Sequence, residues 1–213
     1  MENASQVIEE ESQVLNMIED LLERPLNLVS TVEYSVVGYV LEKNHVVELG
    51  LYGGKIKKLP LRFFSLTKLR KLNLWDNCLS VIPRDIKKLK NLFYLNLEKN
   101  RLQKLPKELF TLPLQKLFLG DNLLTELPPE IGNFENSLTY LNLNRNSISK
   151  LPKELFQLHL LQTLGLSYNL LTEIPPEIDQ LKSLKRLTLE GLELKSIPES
   201  LKSISSLKEI YKG

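Results

Sequence analysis

The stretch LTYLNLNRNSISKLPKELFQLHL at residues 138–160 decides the fold. Leu141, Asn142 and Leu143 alternate apolar and polar side chains, which predicts a short strand with its leucines on one face. Pro152 fixes φ and suits the first turn of a helix. Leu155 and Leu158 follow it, and their spacing of three places both side chains on one side of a helical turn. The stretch therefore predicts a strand, a return path and one helical turn.

The same unit recurs along the chain. It starts at Val46, Leu69, Leu92, Leu114, Leu138, Leu161 and Leu184, and a truncated eighth unit starts at Leu207. The spacing is 22 to 24 residues, and position fifteen is proline in all seven complete units. Because one unit cannot bury its own leucines, each uses its neighbours as the other wall of a continuous core. The repeat predicts a solenoid.

At these residues the sequence resembles the leucine-rich-repeat family, and more narrowly its intracellular type with an LPxxI signature, which includes the Ras-group repeat proteins. The resemblance covers about residues 46–212. It implies an α/β solenoid shaped as a curved horseshoe, with a parallel sheet on the concave face and short helical turns on the convex face. We predict that residues 46–213 form this repeat domain, with seven full repeats and the truncated eighth.

An open solenoid exposes its core at both ends, so it needs caps. We predict that residues 1–45 form an N-terminal helix and hairpin cap, with a helix at about Ser5–Glu23. A strand at Glu33–Leu41 then turns at 42–44 and returns as His45–Leu51. The helix is either a fixed cap or a detachable acidic lid. At the C-terminus no cap is recognisable, so the chain is predicted to be a monomer or a weak dimer through that open end.

Composition indicates a folded protein, with 42% hydrophobic and 25% charged residues. The net charge is only +2, but residues 1–25 carry seven acids against one base, which leaves the remainder basic. One cysteine, Cys78, excludes an intrachain disulfide and favours a reducing compartment. No signal-peptide pattern begins the sequence, and no run approaches the ~18 apolar residues of a membrane span. We expect a cytoplasmic protein without a membrane span.

Asparagine occupies position nine in the inner repeats, and forms a ladder. Asparagine amides supply both donors and an acceptor, which buried backbone groups need where the chain turns inward. We therefore predict a structural role for Asn77, Asn100, Asn122, Asn146 and Asn169. The first and last repeats break the ladder, with Gly54 and Leu192 at this position.

The sequence carries no recognisable catalytic or metal-binding pattern. His45 and His159 lie more than a hundred residues apart, and with Cys78 they make no zinc site of usual spacing. No phosphate-binding GxxxxGK[ST] loop occurs. We predict a protein that is not an enzyme, has no catalytic residues, and needs no metal or cofactor.

A binding surface is predicted on the concave face, from variable positions three, five, seven and eight of the strands. Aromatic residues and arginine, which often dominate protein interfaces, recur at these positions. The predicted partner-binding residues are Tyr52, Lys71, Trp75, Asp76, Tyr94, Glu98, Lys99, Lys116, Phe118, Asp121, Tyr140, Arg145, Tyr168 and Arg186.

The function predicted from this surface is that of a protein-interaction module or scaffold. Charges of both signs around the rings favour a protein partner over nucleic acid. The family resemblance implies a small GTPase or its effector complex as the partner, within signalling. The alternative is a binder of nucleic acid or anionic surfaces through a basic flank formed by Lys57, Lys58, Lys68, Arg70, Lys87, Lys88 and Lys90.

Overall fold

The computed structural model describes residues 7–32 and 35–211. Its strands form one ten-stranded sheet in chain order, and all neighbours pair in parallel except β2 and β3, which form an antiparallel hairpin. The strands are β1 (Asn27–Leu28), β2 (Val37–Glu42), β3 (His45–Leu51), β4 (Lys71–Asn73), β5 (Tyr94–Asn96), β6 (Lys116–Phe118), β7 (Tyr140–Asn142), β8 (Thr163–Gly165), β9 (Arg186–Thr188) and β10 (Glu209–Tyr211).

The repeat register survives unchanged in the sheet. Leu72 pairs with Leu95, and Leu95 with Leu117, so equivalent leucines stack from strand to strand. Position-four and position-six leucines such as Leu95 and Leu97 are fully buried. The predicted leucine-rich-repeat solenoid is therefore confirmed.

The return path carries short 3₁₀ turns instead of α-helix. They span Leu61–Ser65, Arg84–Lys88, Lys107–Thr111, Pro129–Phe134, Lys153–Gln157, Pro176–Gln180 and Glu199–Ser203. Each follows the repeat's position-fifteen proline, whose carbonyl accepts the first bond of the turn, as when Ile86 N donates to Pro83 O at 3.0 Å. With three residues per turn, positions eighteen and twenty-one face the core together. Position nineteen adds Phe64, Phe110 and Phe156 to the core, which the pattern did not predict.

The α-helix α1 (Glu9–Leu22) packs against the first repeat. Val14, Leu15, Ile18 and Leu22 bury its inner face. The helix ends at Glu23, which adopts a left-handed φ of 54°. Ser5, the predicted start, lies outside the described residues.

The strand β1, which follows α1, forms one edge of the sheet and pairs in parallel with β2. The sequence did not predict this strand, which is only two residues long. The hairpin follows, and Lys43 and Asn44 turn it with positive φ angles of 50° and 66°. Glu33 and Tyr34, where a strand was expected to begin, lie outside the described residues.

The eighth unit contributes β10, which pairs with β9 in the same register as the inner strands. Ile210 and Tyr211 are 37% and 45% exposed there. Within the described ranges, β10 has no strand on its outer side. Lys212 and Gly213, the last residues of the predicted repeat domain, lie outside those ranges.

Candidate protein-binding surface

The asparagine ladder is confirmed as a structural element. Asn122 Oδ1 accepts a hydrogen bond from Leu102 N at 3.0 Å, while Nδ2 donates to Leu97 O and Leu119 O at 2.9 and 3.1 Å. Asn77, Asn100, Asn146 and Asn169 repeat this pattern. These amides join neighbouring repeats and are buried, so they are not contacts for a ligand.

Gly54 replaces the ladder asparagine in the first repeat because α1 occupies the space. A Cβ at Gly54 would lie 2.2 Å from Leu22 Cδ2. The asparagine of the next repeat still serves this turn, since Asn77 Oδ1 accepts from Ile56 N at 2.9 Å.

Position eight turns the chain out of each strand in the left-handed region. Lys99, Arg145 and Tyr168 adopt φ of 51°, 55° and 55° there. Left-handed backbone costs a non-glycine residue about 1–2 kcal/mol, and less for aspartate. Glycine or asparagine would adopt this turn at less cost, so the large side chains of Lys99, Arg145 and Tyr168 indicate a role for the side chains themselves.

Aromatic rings form two clusters along the concave face. Tyr52 and Trp75 stack with their ring centroids 4.8 Å apart. Phe118 lies between Tyr94 and Tyr140, at centroid distances of 5.1 and 4.6 Å. We call these five side chains the aromatic surface.

Two cations pack on rings beside this surface. Lys99 Nζ lies 4.9 Å from the Trp75 ring centroid, and Arg145 Cζ lies 4.3 Å from the ring of Tyr168. A cation over an aromatic face is held by the negative charge density of that face. Lys99 and Arg145 therefore reach the same face from their left-handed turns.

The structure places the predicted site residues at different depths. Phe118 is 4% exposed, because the rings of Tyr94 and Tyr140 cover it, so it supports its neighbours and offers little surface of its own. Tyr52, Lys71, Trp75, Tyr94, Glu98 and Tyr140 are half-buried. Asp76, Lys99, Lys116, Asp121, Arg145, Tyr168 and Arg186 are exposed.

Several of the predicted charges already have partners within the chain. Lys71 Nζ lies 2.8 Å from Glu48 Oε1, and Arg186 Nε lies 2.5 Å from Glu209 Oε2. Arg145 Nε is 4.0 Å from Asp121 Oδ1. The surface is therefore a mixed-charge one in which no single sign dominates.

A polar network follows the aromatic surface toward the C-terminal repeats. Glu98 accepts a hydrogen bond from Asn142 Nδ2. Asn144 Oδ1 accepts from Ser167 N at 2.8 Å and from Thr188 Oγ1 at 3.0 Å. Gly165 leaves room for this network, since a Cβ there would lie 2.6 Å from Asn142 Oδ1.

The network shifts the titration of two groups. Burial raises the pKa of the Glu98 carboxyl above its ordinary value and Asp121 raises it further, while the bond from Asn142 opposes both. Burial also raises the pKa of the Tyr140 hydroxyl, and the nearby Glu98 charge adds to this. Asn142, Asn144, Ser167 and Thr188 were not among the predicted partner-binding residues, although all occupy positions five or seven of their repeats.

Nothing in the described ranges resembles a metal centre, since no group of three or more His, Cys, Asp or Glu side chains could hold an ion. His45 Nδ1 contacts Glu11 Oε1 at 3.0 Å, and His159 Nδ1 lies 3.2 Å from Gln180 O. No described helix is long and apolar enough to cross a membrane.

The fold and surface define a solenoid protein whose repeats present one continuous sheet face. A model described as "Leucine rich repeat" matches residues 44–102, and another, "Leucine-rich repeat region", matches residues 135–212. The chain is a leucine-rich-repeat protein.

Among curated relatives, mouse leucine-rich repeat and calponin homology domain-containing protein 1 is 38% identical over 89 residues, which are 42% of this chain and 13% of that protein. The Drosophila melanogaster leucine-rich repeat and calponin homology domain-containing protein is 30% identical over 112 residues, which are 53% of this chain and 14% of that protein. The chain therefore matches only a small part of the length of these relatives.

Solved structures with the same fold come from bacteria and plants. A leucine-rich-repeat protein of Leptospira interrogans is 34% identical, with a TM-score of 0.56, over 76% of this chain and 53% of that one. The plant peptide hormone receptor RGFR1, solved in complex with RGF2, is 32% identical, with a TM-score of 0.66, over 80% of this chain and 28% of that one.

Proposed function

We propose that this protein is a non-catalytic scaffold that binds a protein partner across the aromatic surface. The observation that carries the proposal is the pair of ring clusters, Tyr52 with Trp75 and Tyr94 with Phe118 and Tyr140. The leucine core lies on the other side of the sheet, so the rings are not needed to fill it. Large aromatic side chains with mixed charges beside them are typical of protein interfaces.

The charged side chains beside the rings support a role in orienting the partner. Lys99 and Arg145 pack on rings, and Asp121 lies next to Arg145. Such charges at the rim of an interface contribute more to specificity and association rate than to affinity. The plant receptor of similar fold was solved in complex with RGF2, which supports ligand binding by a solenoid of this kind.

The finer parts of the proposal come from the repeat signature. The LPxxI type implies a small GTPase or its effector complex as the partner, and the single cysteine favours a cytoplasmic setting. We also propose that residues 1–45 act as the cap of the repeat domain at 46–213. The protein acts as a monomer, or as a weak dimer through the open C-terminal end.

A pull-down with quantitative mass spectrometry tests the proposal. Wild type is compared with a Trp75→Ala/Tyr140→Ala variant, which removes one ring from each cluster. The control is Leu61→Ala/Val81→Ala, which removes apolar side chains that are 66% and 65% exposed away from the aromatic surface. Circular dichroism establishes that all three proteins are folded.

We expect one or more proteins to be recovered by wild type and by the control variant, and to be reduced at least about tenfold with the ring variant, since interface hot spots contribute 2 kcal/mol or more. Equal recovery by all three proteins would remove the aromatic surface as the binding site.

A further inference from the structure

A second concave feature lies beside the N-terminal hairpin, outside the aromatic surface. It is an open pocket of about 430 Å³. Its polar lining consists of Glu42, Lys43, His45, Lys68, Arg70 and Asn91. Of the basic flank predicted from the sequence, Lys68 and Arg70 line the pocket, whereas Lys57 and Lys58 lie outside its lining.

The backbone fixes the walls of this pocket. Lys43 sits in the turn of the β2–β3 hairpin with a φ of 50°. Arg70 N donates to Val47 O at 2.7 Å, which joins the second repeat to β3. Asn91 Nδ2 donates to Thr67 O at 2.8 Å, which joins the second repeat to the first again. The hairpin and the first two repeats thus hold the lining residues at defined positions.

The charges in the pocket are unbalanced. Lys43, Lys68 and Arg70 supply three positive charges, and Glu42, which forms an ion pair with Arg70 Nη2, supplies one negative charge. The remaining charge of +2 matches a phosphate monoester, which carries about −1.5 to −2 at neutral pH. A guanidinium has five N–H donors, so Arg70 can keep Glu42 and still donate to a second anion.

His45 has one ring nitrogen committed to the N-terminal helix. Its Nδ1 lies 3.0 Å from Glu11 Oε1, and Glu11 Oε2 accepts from Val46 N at 2.7 Å. Because Nδ1 donates to the Glu11 carboxylate, Nε2 faces a ligand as an acceptor in the neutral ring and donates to a phosphate oxygen only in the imidazolium form. The carboxylate of Glu11 is 5% exposed, so it orients the ring without entering the pocket.

We propose that this pocket binds the phosphate group of a phosphorylated serine or threonine in the protein partner. Arg70, which lines the pocket, directly precedes Lys71, the first residue of β4, and Lys71 pairs in the sheet with Tyr94 of the aromatic surface. A partner segment on the aromatic surface can thus place one side chain in the pocket, so the proposal rests on the proposed function for the nature of its ligand. The net charge of +2 in the pocket balances one dianion, so it suits a single phosphorylated residue. A nucleic-acid backbone would need a row of cations.

The experiment follows backbone and histidine NMR signals of the full chain during titration with N-acetyl-O-phosphoserine amide. N-acetylserine amide and N-acetylglutamate amide are titrated in parallel. The test variant is Lys68→Gln/Arg70→Gln, and the matched control is Lys57→Gln/Lys58→Gln, which removes the same charge from exposed positions outside the pocket. Trp75→Ala/Tyr140→Ala is titrated as well.

We expect saturable shifts at His45, Lys68, Arg70 and Asn91 with the phosphoserine probe. The affinity should fall at least about tenfold in Lys68→Gln/Arg70→Gln, because two charge-assisted contacts are lost, and should stay within about twofold in Lys57→Gln/Lys58→Gln. The ring variant should bind the probe normally, so a failure of the aromatic surface would leave this result intact.

Three outcomes would overturn the proposal. No saturable shift with the phosphoserine probe would remove the site, and equal binding of N-acetylglutamate amide would reassign it to acidic side chains. The third outcome is tighter binding to vesicles of phosphatidylserine and phosphatidylcholine, or to oligouridylate RNA, than to the phosphoserine probe. If Lys68→Gln/Arg70→Gln and Lys57→Gln/Lys58→Gln then lost equal affinity, the result would indicate a diffuse basic surface.

Discussion

At the scale of single residues, the position-nine asparagines join each repeat to the one before it through buried side-chain hydrogen bonds. Asn122 bonds Leu119 O in its own repeat and joins it to the preceding repeat through Leu97 O and Leu102 N. The sequence predicted this role, because the amide recurs where the chain must turn inward and its backbone groups need partners.

Replacing Asn122 with alanine removes the acceptor of Leu102 N, whereas Leu97 O and Leu119 O keep bonds from Asn100 Nδ2 and Asn146 Nδ2. We expect the free energy of unfolding to fall by about 1–3 kcal/mol, the cost of one buried group without a partner. Urea denaturation followed by circular dichroism measures the change. Asn136→Ala is the control, because Asn136 is exposed and its side chain bonds Glu135 only at the surface. Equal stability of the two variants would contradict the structural role.

The raised pKa of Glu98 predicts that the free energy of unfolding depends on pH. Its pKa in the folded protein lies above the ordinary value of 4.5, so its contribution is favourable below that value and is lost as pH rises through the folded pKa. Glu98→Gln keeps an oxygen to accept from Asn142 and removes the charge. We expect the variant to be more stable than wild type at pH 7 by less than about 1 kcal/mol, since the group is partly exposed, and equal to it at pH 3.

Chemical denaturation at pH 3, 5 and 7 checks this expectation. Glu126→Gln, which removes an exposed carboxylate, should show no comparable gain at pH 7. A Glu98→Gln gain that is largest at pH 3 would show that the sign is wrong.

Phe118 shows where residue-level inference from the sequence fails. Alternation places position five on the concave face, but the rings at position three of the neighbouring strands close over it. Whether a concave side chain is exposed thus depends on the size of its neighbours across strands, which a single repeat does not encode.

At the scale of elements, the junction between α1 and the first repeat depends on a missing side chain. Gly54→Ala would bring a Cβ to 2.2 Å from Leu22 Cδ2. We expect a loss of about 1–3 kcal/mol, typical of overpacking. Leu22→Ala removes the nearest obstruction and leaves only the 3.2 Å approaches to Asn77 Oδ1 and Ile56 Cγ1, so Gly54→Ala should cost less in the Leu22→Ala background than in wild type. Losses that simply add in thermal unfolding would contradict this packing.

Deleting residues 1–24 tests whether α1 is a fixed cap or a lid. The deletion exposes the surface that Val14, Leu15, Ile18 and Leu22 cover, each a side chain whose burial contributes roughly 1.5–3 kcal/mol. We expect a loss of several kcal/mol of stability in urea denaturation. A deletion variant that unfolds like wild type and binds the partner more tightly would instead support the lid.

The elements differ in how well the sequence predicts them. The stacked strands and turns follow from the repeat, because each unit is specified by the same pattern. β1 does not, since its two residues, Asn27 and Leu28, carry no alternation and are held by pairing with β2. The turns are 3₁₀ because a spacing of three suits that geometry, and only the structure distinguishes it from one turn of α-helix.

At the scale of the whole molecule, the repeat produces the fold and the departures from it produce the surface. Leucines at positions four and six build the same core in every unit, whereas positions three, five, seven and eight differ from unit to unit. Periodicity therefore predicts the solenoid. The in-register stacking of the strands determines which variable positions lie side by side. Lys116, for example, pairs with Tyr94 on one side and with Tyr140 on the other.

Site-specific photo-crosslinking tests the central claim, that a protein binds the concave face. p-Benzoylphenylalanine is placed at Lys116, between Tyr94 and Tyr140 in the sheet, or at Lys153, exposed on a convex turn. The account predicts that a partner crosslinks from position 116 and not from position 153. A partner that crosslinks from position 153 alone would contradict binding through the aromatic surface.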